Sequence, residues 1–202
     1  MLRSFAFAGL MALLLAGCDN GASQTAQETA ASTEQSSALP PPQLPGQIIR
    51  AFAGTELPAL SFADPEGNTL DLANLDQPVL INLWATWCPP CVVEMPMLDT
   101  LAAELEGEVK VLTISQDMRG AEVVVPFFER RDFAHLEQWL DPSAELSREF
   151  APSGLLPMTI LFDADGKELL RVAGEYEWDS EEAIAQVREA LAGSGTAADE
   201  GA

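Results

Sequence analysis

The sequence predicts an α/β fold in which helices flank a mixed central sheet. Two continuous apolar runs, Val79–Trp84 and Val109–Ser115, have the composition of central strands that are covered on both faces. Segments with helical periodicity alternate with these runs along the chain. Such an alternation is typical of an α/β domain with a largely parallel sheet centre.

A β-hairpin is predicted to extend this domain on its N-terminal side. Short apolar segments around Phe62 and Leu70 flank Asp64–Asn68, whose Asp, Pro, Gly and Asn residues favour a turn. A second hairpin is predicted near the end of the domain. There, Met158–Phe162 and Glu168–Val172 flank the turn-forming sequence Asp-Ala-Asp-Gly.

Four helices and one weaker strand complete the predicted order. The predicted helices are Cys88–Glu106, Val123–Arg131, Ser143–Phe150 and Ser180–Leu191. Pro96 should kink the first helix because it lacks an N–H group and crowds the preceding turn. The last helix is amphipathic, with one apolar face formed by Ala183, Ile184, Val187 and Leu191. The weaker strand is expected near His135–Leu140.

The N-terminus has the features of a secretory signal peptide. Arg3 precedes an apolar stretch over residues 5–15, which is too short for a typical membrane span. The sequence Leu15–Cys18 resembles a bacterial lipobox, so we expect cleavage before Cys18 and lipidation of its sulfur. Asp19 marks retention in the inner membrane in lipoproteins of the enteric type. The chain is therefore expected on the periplasmic side of the inner membrane, held there by lipid.

Composition divides the chain into four parts. Residues 1–17 form the predicted signal peptide. Residues 18–54 contain the lipidated Cys and a tether rich in Ala, Ser, Thr, Gln and Pro, with too few large apolar residues to fold. A single domain is expected over residues 55–192, and a disordered tail over residues 193–202.

The charge of the chain excludes one class of partner. It carries 32 acidic against 10 basic side chains, a net charge of −22, and loss of residues 1–17 would remove only one Arg. Nucleic-acid binding requires cations that neutralise phosphates, so we expect no nucleic-acid partner. No basic patch is available for anionic lipid either, so attachment to the membrane should depend on the lipid itself.

The strongest functional signal is the sequence Trp-Cys-Pro-Pro-Cys, in which Cys88 and Cys91 lie where the central strand meets the following helix. The positive end of a helix dipole favours the thiolate of the first Cys. The second Cys lies one turn into the helix, close enough to form an internal disulfide. A zinc site would need two further ligands, and only Cys18 and His135 are available. Haem attachment would need His in place of Val92. We therefore predict thiol–disulfide exchange without a metal or another cofactor.

These motifs resemble those of the TlpA/ResA-type thiol–disulfide reductases, which have the thioredoxin fold. The resemblance covers most of residues 55–192. It is carried by Asn82–Cys91, Glu94-Met95-Pro96, Gly154–Thr159, Gly174 and Trp178-Asp179-Ser180. Members of this family are commonly tethered in the cell envelope, in agreement with the lipobox-like motif.

The resemblance implies roles for four residues. Cys88 matches the exposed attacking thiol, and Cys91 matches the buried resolving thiol. Pro157 matches the cis-proline that faces the active-site sulfurs. Glu94 matches a glutamate near the cysteines, where a raised pKa would let it carry the proton of Cys91. A solvated position on the helix surface is the alternative for Glu94. Asn82 stands where many thioredoxins have a buried Asp, and it cannot act as a base.

These features together predict a membrane-anchored periplasmic reductase of disulfides in envelope proteins, acting as a monomer. The resemblance implies cytochrome c maturation or copper-centre assembly as its setting. It also implies re-reduction by a membrane thiol-electron donor, since the periplasm is oxidising. Pro89 and Pro90 remove two N–H donors near the sulfurs, which favours a reducing poise. Two alternatives stay open: an envelope thiol oxidant or isomerase, and a Sco-like copper metallochaperone with His135 as a ligand.

Overall fold

The computed structural model describes residues 46–197, with side chains described as far as Ser194. These residues all belong to one compact unit. The predicted signal peptide over residues 1–17, the lipidation site Cys18 and most of the predicted tether lie outside the described residues. The last part of the predicted tail, residues 198–202, also lies outside them.

Eight strands form a single mixed sheet in the order β1-β8-β7-β4-β5-β6-β2-β3. The strands are β1 (Gln47–Ile49), β2 (Ser61–Ala63), β3 (Thr69–Asp71), β4 (Val79–Trp84), β5 (Lys110–Ser115), β6 (Trp139–Leu140), β7 (Met158–Phe162) and β8 (Glu168–Ala173). The three strands β4, β5 and β6 run parallel, and β7 is antiparallel to β4. This arrangement confirms the predicted mixed sheet.

Four α-helices flank the sheet: α1 (Pro89–Glu104), α2 (Ala121–Glu129), α3 (Glu145–Phe150) and α4 (Glu181–Ala197). Helices α1, α2 and α4 share one apolar cluster on one side of the sheet. Helix α3 packs with the hairpin β2–β3 in the cluster on the other side. The predicted helices are thus confirmed, with their ends shifted by a few residues.

The central strand β4 is buried along its whole length. Alternate side chains point to opposite faces of a strand. Accordingly, Leu80 and Trp84 join the cluster beneath α1, while Ile81 and Leu83 join the cluster on the other side. Asn82 belongs by the same alternation to the α1 side, so the one polar residue of β4 points towards that helix.

Both predicted hairpins are present, and an Asp side chain organises each turn. Asp64 accepts hydrogen bonds from the backbone and the side chain of Asn68, at 2.8 and 2.6 Å. In the β7–β8 turn, Asp163 Oδ1 accepts from the backbone N–H groups of Asp165 and Lys167. Gly166 follows with a φ of 71°, a conformation that favours glycine.

The structure differs from the predicted domain boundaries at both ends. Residues 47–49, placed in the tether, form an edge strand that pairs with β8, and the partly buried Ile48 packs against the α1-side cluster. A strand this short leaves no periodic pattern to detect. At the other end, α4 continues through Gly193 to Ala197 instead of ending near Leu191. A glycine costs a helix only about 1 kcal/mol, too little to end it here.

Candidate active site

The site begins where β4 ends and α1 starts. Cys88 is the N-cap of α1, and its backbone N–H donates to the carbonyl of Ala85 at 3.1 Å. Pro89 and Pro90 occupy the first helical turn, where a missing N–H costs the helix nothing. Cys91 is the next residue, and its N–H donates to Cys88 Sγ at 3.3 Å. The helix end thus directs one backbone donor at the first sulfur.

The two cysteines form a disulfide, with an S–S distance of 2.08 Å. The prediction that Cys88 is exposed and Cys91 buried holds only as a ranking, because the residues are 4% and 1% exposed. Cys88 is covered because its sulfur is bonded to Cys91 and both residues pack into the α1-side cluster. Beside it, Trp87 is 65% exposed.

Glu94 lies on α1 one turn beyond Cys91, and its side chain is completely buried. The alternative of a solvated helix-surface position is therefore wrong. Its Oε1 accepts from the backbone N–H of Tyr176 at 2.7 Å and from the indole Nε1 of Trp178 at 3.1 Å. Its Oε2 faces Asn82 Nδ2 at 3.5 Å. All of these donors are uncharged.

Burial raises the pKa of Glu94 to about 8, because a carboxylate loses its hydration in the protein interior. The hydrogen bonds from Tyr176 and Trp178 oppose this rise, while the negative charge of Glu175 adds to it. Glu94 therefore keeps its proton to a higher pH than an ordinary glutamate does. Its carboxyl titrates in the range where thiols also titrate.

Asn82 links Glu94 of α1 to β7, the strand that pairs with β4. Its Nδ2 donates to Thr159 Oγ1 of β7 at 2.9 Å as well as facing Glu94. Asn82 and Thr159 are 1% and 2% exposed. Glu94, Asn82 and Thr159 thus form a buried polar chain that joins α1, β4 and β7.

Pro157 lies at the same end of the sheet as the cysteines. The Leu156–Pro157 bond is cis, as the resemblance implies. The next residue, Met158, pairs with Leu83 of β4, so Pro157 lies beside the end of β4 from which the Cys88 loop emerges. Leu155, two residues before Pro157, is 45% exposed.

His135, the one metal-ligand candidate besides the cysteines, lies elsewhere. Its backbone N–H donates to Asp99 Oδ1 at 2.8 Å, in a loop beyond α2. Among residues 46–197, no group of three or more His, Cys, Asp or Glu side chains could hold a metal ion. Within the same range, no helix has both the length and the apolar character to cross a bilayer.

Sequence reasoning missed the groups that hold Glu94. Trp178 is 1% exposed, and its indole N–H needs a partner, which Glu94 supplies. The motif around Trp178 pointed to the family but not to this contact. Because residues 94 and 178 are far apart in sequence, only their packing brings them together.

Comparisons with known proteins agree with this geometry. The model of the Redoxin family matches residues 52–187. The thiol-disulfide oxidoreductase ResA of Bacillus cereus is 31% identical over 123 residues, spanning 60% of this chain and 70% of that protein.

Two solved structures share the fold. The thioredoxin domain of a thiol-disulfide oxidoreductase from Bacteroides vulgatus is 25% identical, with a TM-score of 0.55 over 69% of this chain and 97% of that one. A proposed thiol:disulfide interchange protein DsbE from Chlorobium tepidum is 23% identical, with a TM-score of 0.61 over 69% and 97%. With a buried CxxC pair at a helix N-terminus and these relatives, the chain belongs to the Redoxin family and is a ResA-type thiol–disulfide oxidoreductase with a thioredoxin-like fold.

Proposed function

We propose that this oxidoreductase is a lipid-anchored reductase of disulfides in envelope proteins, and that Cys88 attacks and Cys91 resolves. The observation that carries the proposal is the cap of α1. Cys88 occupies the N-cap, receives one hydrogen bond from Cys91 and lies one turn before the buried Cys91. This arrangement suits a first sulfur that meets a partner and a second sulfur that stays inside.

The reaction proceeds in two exchanges. The Cys88 thiolate attacks one sulfur of the partner's disulfide, so that a mixed disulfide forms and the partner's other sulfur leaves as a thiolate. Cys91, as a thiolate, then attacks Cys88 Sγ, and the partner's remaining sulfur is released. Two electrons pass from the dithiol to the partner. The product is the Cys88–Cys91 disulfide seen in this structure.

Glu94 holds the proton that Cys91 must release before it attacks. Residues three apart on a helix are neighbours, with Cβ atoms roughly 5–6 Å apart. Both Cys91 and Glu94 are buried residues of α1. With a pKa of about 8, Glu94 lies close to a free thiol, whose pKa is about 8.5, so a proton moves between them at little free-energy cost.

The edge beside Pro157 is the proposed partner site. β7 starts directly after Pro157, so an extended segment of the partner can pair with the backbone of Leu156. Trp87, next to Cys88 in the chain, and Leu155, next to Leu156, have exposed side chains that are available for apolar contact with a partner. Recognition through backbone pairing tolerates several partner sequences.

Several features support a reducing role in the envelope. Pro89 and Pro90 leave Cys91 as the first residue of α1 with an N–H, which limits stabilisation of the Cys88 thiolate. The lipobox-like Leu15–Cys18 supports an anchor on the periplasmic side of the inner membrane, near a membrane thiol-electron donor. The resemblance to TlpA/ResA-type reductases supports cytochrome c maturation or copper-centre assembly as the setting.

The reduction potential tests the direction of electron flow. Equilibration with glutathione should give a value nearer to that of thioredoxin, about −270 mV, than to that of DsbA, about −120 mV. A potential above about −160 mV would make this protein an oxidant and overturn the proposal.

A trapping experiment tests the assignment of the two sulfurs. A Cys91→Ser variant should retain envelope partners as mixed disulfides through Cys88, and these partners should contain paired cysteines. Cys88→Ser is the matched control and should retain none. If Cys88→Ser traps the partners and Cys91→Ser does not, the two roles are reversed.

Cell fractionation tests the anchor separately. The wild-type chain should fractionate with the inner membrane, and Cys18→Ala should abolish its lipidation. Recovery of the wild-type chain entirely in the soluble fraction would contradict the anchor and leave the thiol chemistry untouched.

A further inference from the structure

A buried carboxylate outside the sites described so far holds the loop that leads to Cys88. Asp117 follows the end of β5 and is 4% exposed. Its Oδ2 accepts from the backbone N–H of Thr86 at 2.9 Å and from Ser115 Oγ at 2.9 Å. Its Oδ1 accepts from Thr86 Oγ1 at 2.8 Å. Three hydrogen bonds therefore converge on this carboxylate, two of them from Thr86.

Thr86 lies two residues before Cys88, in the short connection between β4 and α1. The connection is fastened at both sides of Thr86: the N–H of Cys88 donates to Ala85 O at 3.1 Å, and the N–H of Gln116 donates to Trp84 O at 2.8 Å. Together with these two backbone hydrogen bonds, the bonds to Asp117 fix the position of the N-cap of α1 relative to the sheet.

We propose that Asp117 is a positioning residue for thiol–disulfide exchange, holding the loop so that Cys88 stays at the N-cap where its sulfur reacts. The inference rests on the proposed role of Cys88 as the attacking thiol. We call the three hydrogen bonds to the Asp117 carboxylate the clamp. When the clamp is lost, the Cys88 sulfur leaves its alignment with the N-terminus of α1, and the fraction of Cys88 present as thiolate falls.

Two variants of Asp117 distinguish the contribution of its hydrogen bonds from that of its charge. In Asp117→Asn, the amide oxygen can accept from the Thr86 N–H and from Ser115 Oγ, while the amide NH₂ donates to Thr86 Oγ1. Asp117→Asn therefore preserves the clamp without its charge, whereas Asp117→Ala removes all three bonds.

Asp141 provides a matched control. It is 1% exposed and accepts from the backbone N–H groups of Glu145 and Leu146, both at 2.9 Å. These bonds fasten the start of α3, on the opposite side of the sheet from α1. Asp141→Ala should thus cost a comparable amount of folding free energy without touching the Cys88 loop.

The experiment measures the alkylation rate of Cys88 in the reduced full-length protein at pH 7, per folded molecule. Asp117→Ala should slow it roughly tenfold, the effect of a one-unit rise in the thiol pKa. The pH at which half of Cys88 is present as thiolate, read from the alkylation rate across pH, should rise by about one unit. Asp117→Asn should keep the alkylation rate within about twofold of wild type and leave its pH dependence unchanged, as should Asp141→Ala.

The proposal is overturned if Asp117→Ala alkylates at the wild-type rate, or if Asp141→Ala slows alkylation equally. Should Asp117→Ala fail to fold, Thr86→Val takes its place, because it removes only the bond to Oδ1. A slowing of about two- to threefold then supports the clamp, and an unchanged rate rejects it. If wild-type protein is alkylated first at Cys91, the assignment of Cys88 fails before any variant is compared, and the clamp fails with it.

Discussion

Two glutamates are buried in this domain, and they differ in what surrounds them. Glu94 and Glu168 are 0% and 1% exposed. Glu168 receives two hydrogen bonds from the guanidinium of Arg171, from Nε at 2.7 Å and from Nη2 at 2.6 Å. Glu94 makes no ion pair within residues 46–197 and is held by uncharged donors alone. Burial with a cation makes a carboxylate structural, whereas burial without one leaves it able to exchange a proton.

The two carboxyls also differ in their position relative to the cysteines. Glu94 lies one turn from Cys91. The partner of Glu168, Arg171, also donates to the carbonyl of Phe150 at 3.2 Å and stacks over the ring of Phe52 at 4.0 Å. The pair therefore connects β8 to α3 and to the segment after β1, away from the thiol chemistry.

The largest expected effect is on the pH dependence of stability in the oxidised protein. The pKa of Glu94 rises from 4.5 to about 8 on folding. Between these values the folded state binds a proton that the unfolded state has lost, so the free energy of unfolding falls as pH rises and levels off above pH 8. The full loss is up to about 5 kcal/mol. Urea unfolding of wild type and Glu94→Gln between pH 4 and 9 measures it.

Glu94→Gln should lack this loss, because its amide is neutral at every pH. The difference between wild type and variant isolates Glu94 from the other titrating groups, and the disulfide removes the cysteines from the titration. Parallel pH profiles for the two proteins would show that Glu94 titrates normally despite its burial.

The second expected effect concerns the other buried glutamate, Glu168. Arg171→Met leaves Glu168 buried without its cation, and we expect a loss of about 3–5 kcal/mol in unfolding free energy. The double variant Arg171→Met, Glu168→Met should recover much of the loss, since an apolar pair needs no hydration. Chemical denaturation at pH 7 measures both. A loss below about 1 kcal/mol would show that the pair is solvated in solution.

Much of the fold could be predicted from the sequence, because its signals are local. The continuous apolar run of β4 and the Asp-led turns act within a few residues, and both are found as predicted. The Glu168–Arg171 pair could not be predicted, because residues three apart on a regular strand face opposite sides. A register shift near Phe162 pairs Ile160 with Arg171 and Phe162 with Glu168, which turns both side chains to one face.

The candidate site likewise has residues that local motifs indicate and contacts that only the fold creates. Cys88, Cys91, Glu94 and Pro157 could be identified from local motifs. The burial of Glu94 could not, because it depends on Tyr176 and Trp178, which arrive from the far end of the chain. The contact between Asp117 and Thr86 could not be predicted either, because Asp117 follows β5 whereas Thr86 follows β4.

The third effect concerns the rate at which Cys91 resolves a mixed disulfide. Glu94→Gln cannot accept the proton of Cys91, so resolution should slow by about 10²-fold, the usual contribution of a positioned acid or base. Release of a thiol from a preformed mixed disulfide at Cys88, followed by stopped flow, measures this step. Glu168→Gln is the control for burial and should keep the wild-type rate per folded molecule. Equal slowing in both variants would assign the effect to stability.

The smallest expected effect concerns a single hydrogen bond, the one that Trp178 donates to Glu94. Trp178→Phe removes the indole donor to Glu94 Oε1 while keeping an aromatic ring near Tyr176, whose centroid lies 5.0 Å away. Since that donor lowers the pKa of Glu94, its loss should raise the pKa further, by about half a unit to one unit, or roughly 1 kcal/mol. Carboxyl NMR of the oxidised protein measures the titration.

Trp84→Phe is the matched control, because the Trp84 indole is buried and has no hydrogen-bond partner in the described part of the chain. If the two variants shift the titration equally, the change comes from repacking. An unchanged titration in Trp178→Phe would mean that the indole donor does not contribute to the pKa of Glu94.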